Sequence, residues 1–252
     1  MGAMKCALPL LLLTGLVWNS LLATGSDKQA SGGKIRVLLT YGGHGFAQEP
    51  FFALFDALPD VVYTKAPLPE AADRLRPGLE KEFDVIVMYD MVRGISAEQQ
   101  KSFVELLNIG IGVVSLHHNL AAHREWDEFR KIIGGKFILE DCLIDGKRYP
   151  KSAAIHGQTL NIHVADKEHP ITRGLTDFQI EDEVYGPFYT SPEIHVLLTT
   201  DHPQNNPEVA WTHQYGKSRV FYFMLGHGPK AWSHPNYSLI LARGIRWAAG
   251  RL

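Results

Sequence analysis

The chain has 252 residues, of which 45% are hydrophobic and 21% are charged, and its formal net charge is −2. This ordinary globular composition excludes a disordered or fibrous architecture for the whole chain. The chain also lacks the excess of basic residues that is typical of nucleic-acid-binding proteins. The two cysteines exclude any disulfide framework beyond a single bridge.

The first 25 residues have the pattern of a secretory signal peptide. Lys5 supplies a positive charge, an apolar run covers residues 6–18, and Ala23-Thr24-Gly25 offers small residues for cleavage. The run is shorter than the roughly 18 apolar residues that a membrane span requires, although an uncleaved anchor is the alternative interpretation. We therefore expect a periplasmic or secreted protein that leaves the membrane after cleavage. The predicted parts are a signal peptide at 1–25, a polar leader at 26–33 and one domain at 34–252.

Strands alternate with helices from residue 34 onward. Three continuous apolar runs are typical of strands covered on both faces, at residues 35–41, 85–89 and 111–116. Helical spacing of apolar residues follows the first run, and the capping-box sequence Ser96-Ala97-Glu98-Gln99 starts a second helix. A short helix is expected at residues 126–133.

The second half of the chain is richer in strands and closes with a helix over residues 235–249. Its strand candidates are residues 160–164, 194–198, 209–211 and 219–225. Between residues 137 and 192 we expect loops and antiparallel strands. The alternating pattern predicts a single α/β domain with a mostly parallel sheet.

Ionisable residues follow four of the predicted strands. The strand ends carry His44, Asp90, His117 and His227. In open parallel sheets ligands bind at the carboxyl ends of the strands, and in a 2-1-3-4 type of strand order these ends are neighbours. The four side chains are therefore expected to line one crevice, with His118 beside them.

A second signal is the carboxylate-rich segment Glu181-Asp182-Glu183-Val184-Tyr185. A carboxylate often orients a histidine base, and carboxylates also bind metals or sugar hydroxyls. Trp126, Trp211 and Tyr185 are candidates for stacking on a sugar ring, although aromatic residues more often belong to the core. Six further histidines are expected to be solvated or hydrogen-bonded without a role: His123, His156, His163, His195, His202 and His213.

Several catalytic motifs are missing from the sequence. It has no G-x-S-x-G or G-x-C-x-G elbow, no complete G-x-G-x-x-G, no P-loop and no H-E-x-x-H. Cys142 lies in a polar stretch that is unlike a nucleophile turn. Acyl transfer through serine or cysteine is therefore not supported.

In combination, these residues resemble ThuA-like (trehalose utilisation) proteins. The resemblance runs from about residue 34 to the C-terminus. It rests on the following motifs: Gly42-Gly43-His44-x-Phe46, Tyr89-Asp90, Ser115-Leu116-His117-His118, Trp126-x-x-Phe129-x-Lys131-Ile132-Ile133-Gly134-Gly135, His169-Pro170-Ile171-Thr172-Arg173-Gly174-Leu175, Asp182-Glu183-x-Tyr185, Trp211-x-x-x-Tyr215-Gly216 and Leu225-Gly226-His227.

The resemblance implies a flavodoxin-like, class I glutamine amidotransferase-like three-layer sandwich. It also implies a link to sugar catabolism, in particular to oxidised (3-keto) glycosides. In the amidotransferase pattern a nucleophilic cysteine follows a buried strand and a histidine follows a later one. Here His117 occupies the place of the cysteine and His227 that of the histidine, which excludes thiol chemistry.

The first hypothesis is an exported carbohydrate-processing enzyme, a hydrolase or lyase, that uses acid–base chemistry on a sugar or keto-glycoside. His117 is the expected base, His227 the acid or carbonyl-polarising group, and Glu183 the orienting carboxylate. The expected sugar-binding residues are His44, Asp90, His118, Trp126, Asp182 and Tyr185.

Two alternatives remain open at this stage. One places a divalent metal in the same crevice, with His44, His117 and His227 as ligands and Asp90 or Glu183 as the oxygen donor. The other is a non-catalytic sugar-binding module whose active site has been lost. The expected partner is a small carbohydrate, and the sequence leaves the metal, the substrate and the existence of a homo-oligomer undecided.

Overall fold

The computed structural model describes residues 1–2 and 33–252. Residues 3–25 of the predicted signal peptide and most of the leader lie outside the described residues. The first half alternates as the sequence predicts, in the order β1 (Ile35–Gly42), α1 (Gln48–Asp56), β2 (Val61–Pro67), α2 (Leu79–Glu82), β3 (Val85–Asp90), α3 (Ala97–Ile109), β4 (Gly112–Leu116) and α4 (Asp127–Ile133). Two 3₁₀ turns, Ala72–Arg74 and His117–Ala121, lie between these elements.

The second half contains mostly strands and closes with two helices. In chain order they are β5 (Gly135–Lys136), β6 (Cys142–Ile144), β7 (Lys147–Tyr149), β8 (Ala153–Val164), β9 (Phe178–Gly186), β10 (Tyr189–Thr190), β11 (His195–Thr200), β12 (Glu208–Tyr215), β13 (Ser218–Phe223), α5 (Pro229–Trp232) and α6 (Pro235–Ala248). The expected antiparallel excursion corresponds to β5 through β10.

Nine strands form one central sheet in the order β2-β1-β3-β4-β13-β12-β11-β8-β9. The strands from β2 to β13 pair in parallel, and those from β13 to β9 pair antiparallel. The sheet is therefore mixed, and its parallel half has the predicted 2-1-3-4 order. Because β3 and β4 are buried along their whole length, their apolar runs are continuous rather than alternating.

Helices cover both faces of the parallel half. Phe221 of β13 packs on Gly244 of α6. The next residue, Tyr222, stacks on Trp211, whose indole N–H donates to the Ile133 carbonyl in α4. Since successive strand residues point to opposite faces, α6 and α4 lie on opposite sides of the sheet, which gives three layers.

Local signals in the sequence fix the helix ends. Ser96 and Gln99 form the predicted reciprocal capping box at the start of α3, and Gly110 ends that helix with a φ of 112°.

Within the described residues, no helix has the length and apolar content that a membrane crossing requires.

Candidate functional site

The chain makes a sharp turn at His117, directly after the end of β4. The φ of His117 is 48°, a left-handed conformation that residues other than glycine rarely adopt. The Tyr222 hydroxyl donates to the His117 carbonyl at 2.8 Å, which helps to hold this backbone. The side chain is fully buried.

One ring nitrogen of His117 forms a hydrogen bond with a backbone carbonyl group. Its Nδ1 atom lies 2.6 Å from the carbonyl oxygen of Met224, just beyond β13. A carbonyl oxygen only accepts hydrogen bonds, so Nδ1 carries the proton that it donates. The Nε2 atom, on the other side of the ring, is therefore directed away from Met224.

The side chains of Glu183 and His227 meet the side chain of His117 at that nitrogen. His117 Nε2 lies 3.0 Å from Glu183 Oε2 and 3.2 Å from His227 Nδ1. The third side of the triangle, from His227 Nδ1 to Glu183 Oε2, is 3.1 Å. We name these three residues the His–Glu centre. They come from the end of β4, from β9 and from the segment after β13, which are far apart in the chain.

Glu183 and Asp182 are neighbours on β9, and their carboxylates contact different groups. Both are buried. The Asp182 carboxylate accepts from the backbone N–H groups of Gly226, at 2.6 Å, and His227, at 3.0 Å. Asp182 thus fixes the segment that carries His227, whereas Glu183 faces the imidazoles directly.

Gly226 shapes the turn before His227. Its φ of 120° lies in the region that glycine tolerates, and a Cβ atom here would lie 2.5 Å from the Tyr237 hydroxyl. The Gly226 carbonyl accepts from Tyr89 and from the Trp232 indole, at 3.0 and 2.9 Å. The position of His227 is therefore determined by contacts on both sides of its peptide.

Burial and hydrogen bonding act against each other on the acidic groups. Burial alone would raise the pKa of Glu183, but hydrogen bonds from His117 and His227 outweigh it and hold that pKa far below its ordinary value. The hydrogen bond to Glu183 raises the pKa of His227. Burial raises the pKa of Asp182, since its partners only partly offset the loss of water.

Tyr185 supports His117 on a second side. Its hydroxyl lies 2.8 Å from His117 Nε2, and the two rings stack with centroids 4.9 Å apart. Burial raises the pKa of this hydroxyl well above its ordinary value, so it is a neutral donor. Tyr185 thus contacts the same nitrogen of His117 as Glu183 and His227.

A third histidine reaches the centre although the sequence analysis assigned it no role. His156 Nδ1 lies 3.0 Å from Glu183 Oε1, and its side chain is 69% exposed. His156 belongs to β8, where the pairing with β9 is irregular between Ile155 and Gln158. Nothing in the sequence pattern marks this irregularity, so the contact could not be foreseen.

His44 and His118 line the side of the centre next to β1. The His44 ring is exposed and stacks on that of His118 at 4.9 Å, and its centroid is 6.4 Å from the His227 ring. His118 is buried, which lowers its pKa to about 2, and its Nε2 atom donates to the Tyr89 carbonyl at 3.1 Å. His118 is therefore neutral, and His44 is the more accessible of the two.

The structure does not bring Asp90 or Trp126 into the His–Glu centre. The Asp90 carboxyl is fully buried; it accepts from the Thr40 hydroxyl at 2.6 Å and lies 3.5 Å from His123 Nε2. Trp126 is half-buried and packs on Phe103 and Phe129. Their contact with a sugar stays a prediction, and this geometry gives both residues a packing role.

Comparison with known proteins identifies the family. A family model described as trehalose utilisation (ThuA) matches residues 70–248. No curated protein matches the sequence.

Solved structures show the same fold. A ThuA-like protein from Parabacteroides merdae has a TM-score of 0.69 and 21% identity, over 86% of this chain and 90% of that one. A ThuA-like protein from Bacteroides uniformis has a TM-score of 0.64 and 19% identity, over 89% and 95%. A GMP synthase component from Thermoplasma acidophilum has a TM-score of 0.50 and 7% identity, over 86% and 95%.

These likenesses confirm the α/β fold of the glutamine amidotransferase type. The family description supports a carbohydrate-related role. The family model covers well over half of the chain, and the protein belongs to the ThuA (trehalose utilisation) family.

Proposed function

We propose that this protein is an exported carbohydrate-processing enzyme that acts on a sugar or keto-glycoside at the His–Glu centre. The observation that carries the proposal is the convergence of His117, Glu183 and His227, with atoms 3.0 to 3.2 Å apart at the carboxyl edge of the parallel strands. Ligands bind at this edge in open α/β sheets. The family description, trehalose utilisation, is the reason for proposing a carbohydrate as the ligand.

The chemistry follows from what a keto group does to a sugar. A carbonyl acidifies the adjacent C–H bond, so a base can remove that proton and form an enolate. The enolate electrons then break the bond to the glycosidic oxygen. This oxygen is attached to the second carbon from the carbonyl carbon. The leaving oxygen takes a proton, and the products are an unsaturated keto-sugar and the free aglycone.

His117 and His227 fit the two proton transfers. The Nδ1 contact of His117 with Met224 leaves Nε2 as its proton acceptor, as a base requires. His227 is half-buried and its pKa is raised, which suits a proton donor that substrate can reach. Glu183 contacts both imidazoles and holds their positive charge when they are protonated.

The sugar is expected to lie on the accessible side of the centre. His227, His44 and His156 have exposed surface there, and the Tyr185 hydroxyl is directed at His117 from within. In this proposal, Asp182 acts indirectly by holding the peptide of His227.

The test is the release of aglycone from a 3-keto-glycoside that carries a chromogenic leaving group. Elimination predicts an unsaturated ketone with its own ultraviolet absorption, whereas hydrolysis predicts a saturated 3-keto-sugar. Replacing His117 with Gln is expected to lower turnover by about 10²–10⁴-fold, the usual contribution of a general base. Sugar binding without turnover, unchanged by that substitution, would instead indicate a binding module.

Export has a separate test. When the full chain is produced in a Gram-negative bacterium, the proposal expects the protein in the periplasm or medium with its N-terminus near residue 26. An intact N-terminus in the cytoplasmic fraction would contradict the exported part of the proposal and leave the chemistry unaffected.

A further inference from the structure

The His–Glu centre has the arrangement of a metal site with three protein ligands. His117 Nε2, Glu183 Oε2 and His227 Nδ1 are 3.0, 3.1 and 3.2 Å apart. In a tetrahedral zinc site with bonds of about 2.0–2.2 Å, neighbouring ligand atoms are about 3.3–3.6 Å apart. The three atoms therefore approach one face of such a tetrahedron, and small outward shifts of roughly half an ångström or less would match it.

The surroundings of these ligand atoms also match a metal site. A histidine that binds a metal usually donates its other ring N–H to a carbonyl or carboxylate, and the Nδ1 atom of His117 does so to Met224 at 2.6 Å. The second oxygen of Glu183 lies 3.0 Å from His156 Nδ1. The backbone N–H of His227 donates to Asp182. Each proposed ligand is thus held by a separate partner.

The local charge favours a dication. Glu183 and Asp182 are adjacent and buried, with 4% and 6% of their surface exposed. Within residues 33–252, no lysine or arginine forms an ion pair with either carboxylate. A divalent cation between the imidazoles would balance this negative charge.

We infer that His117, Glu183 and His227 bind a divalent transition metal, with zinc as the best match. Imidazole ligands favour zinc and similar ions over calcium and magnesium, which prefer oxygen. His227 is 34% exposed, so a fourth position faces solvent, as in catalytic zinc sites.

This inference rests on the proposed function, because it keeps the same sugar or keto-glycoside as the substrate. It changes only the roles of the side chains in the reaction. A bound ion would polarise the keto oxygen of the sugar. His117 and His227 would then hold the ion through the lone pairs that the acid–base proposal uses for protons. Proton transfer would pass to neighbouring groups, of which His156 and Tyr185 lie nearest.

The test uses the purified protein after treatment with a chelator, titrated with ZnCl₂ by calorimetry. Elemental analysis of untreated protein and the visible spectrum after CoCl₂ addition accompany it. We expect one equivalent of zinc, and we expect Glu183→Gln and His227→Ala each to weaken binding by at least about 100-fold. Even an outer partner of a metal ligand typically contributes 10–100-fold.

The matched control is His195→Ala. His195 lies 2.7 Å from Asp166, as an exposed histidine–carboxylate pair outside the His–Glu centre. Its removal should leave zinc binding unchanged. His227 is partly exposed, so its replacement by Ala should preserve the fold, which circular dichroism can verify. Equal zinc affinity in wild type and His227→Ala would overturn the inference.

Metal binding and the proposed function can fail separately. Stoichiometric zinc at the three residues without turnover of any keto-glycoside would support the metal site and contradict the proposed enzyme. Full turnover after chelation, with less than about a tenth of an equivalent of metal remaining, would contradict the metal site and support acid–base catalysis.

Discussion

The Nδ1 atom of His117 lies 2.6 Å from the carbonyl oxygen of Met224, and this contact turns the other nitrogen of the ring towards Glu183. His117 follows β4 and Met224 follows β13, and these two strands are adjacent and parallel. The orientation of the central imidazole is therefore set by the strand order of the sheet. Both the proposed acid–base chemistry and the proposed metal site depend on it.

Replacing Tyr185 with Phe removes one hydrogen bond from the centre. The hydroxyl lies 2.8 Å from His117 Nε2, while the stacked ring would remain in place. We expect turnover to fall about fivefold with little change in stability, because one neutral hydrogen bond contributes about 1 kcal/mol. Tyr215→Phe is the control, since it removes a hydroxyl that contacts Glu128 at 2.7 Å. Equal effects of the two variants would contradict the role of Tyr185.

Replacing His156 with Ala frees one oxygen of Glu183. His156 is exposed, so the fold should be unaffected, while the contact of 3.0 Å to Glu183 Oε1 is lost. We expect kcat/KM on a keto-glycoside to fall about 10–100-fold, the usual effect of losing a group that orients a catalytic or metal-binding residue. His195→Ala should behave as wild type. Wild-type kcat/KM in His156→Ala would show that Glu183 needs no such support.

Gly226→Ala tests the turn that carries His227. A Cβ atom would lie 2.5 Å from the Tyr237 hydroxyl, on a backbone with φ of 120°. We expect the free energy of unfolding to fall by about 2–3 kcal/mol, from steric overlap and an unfavourable conformation. Gly45→Ala is the control because its Cβ meets nothing within 4 Å. Urea denaturation measures both, and similar stability of the two variants would contradict the account of the turn.

Asp84→Asn tests an ion pair at the opposite end of the sheet. Asp84 Oδ1 lies 2.9 Å from Arg36 Nη2; burial would raise the pKa of Asp84, but its hydrogen bonds with Arg36 outweigh burial and lower it. A lowered pKa in the folded state stabilises the protein above the ordinary aspartate pKa, and this stabilisation is lost as the pH falls further.

At pH 6.5 we expect Asp84→Asn to be less stable than wild type by about 1–2 kcal/mol. Because protonated Asp84 resembles Asn, the difference should shrink as the pH falls below about 4. Urea denaturation at several pH values measures it, with Glu70→Gln as an exposed control. A difference that stays constant down to pH 2.5 would contradict the assignment.

Much of the fold and part of the site could be predicted from the sequence. The apolar runs indicated the parallel strands, and the strand-end rule selected His117 and His227 correctly as neighbours. The carboxylate segment suggested Glu183. These signals succeed because a strand buried on both faces stops only where the chain turns, and parallel strands all turn at one edge.

Other members of the site carried no such signal. His156 reaches Glu183 through an irregular strand pairing that no local pattern encodes. Asp90 does stand at a strand end, but its carboxyl turns inward to Thr40 and His123. Side-chain direction depends on contacts from distant segments, so the strand-end rule places a residue at the edge without placing its side chain.

The most direct test of the central claim compares Glu183→Gln with Glu181→Gln on a chromogenic 3-keto-glycoside. Glu183 is buried in the His–Glu centre, whereas Glu181 is exposed on the same strand and pairs with Lys230. The account predicts turnover by wild type and Glu181→Gln, and a loss of about 10²–10⁴-fold in Glu183→Gln. Comparable turnover in all three proteins would contradict it.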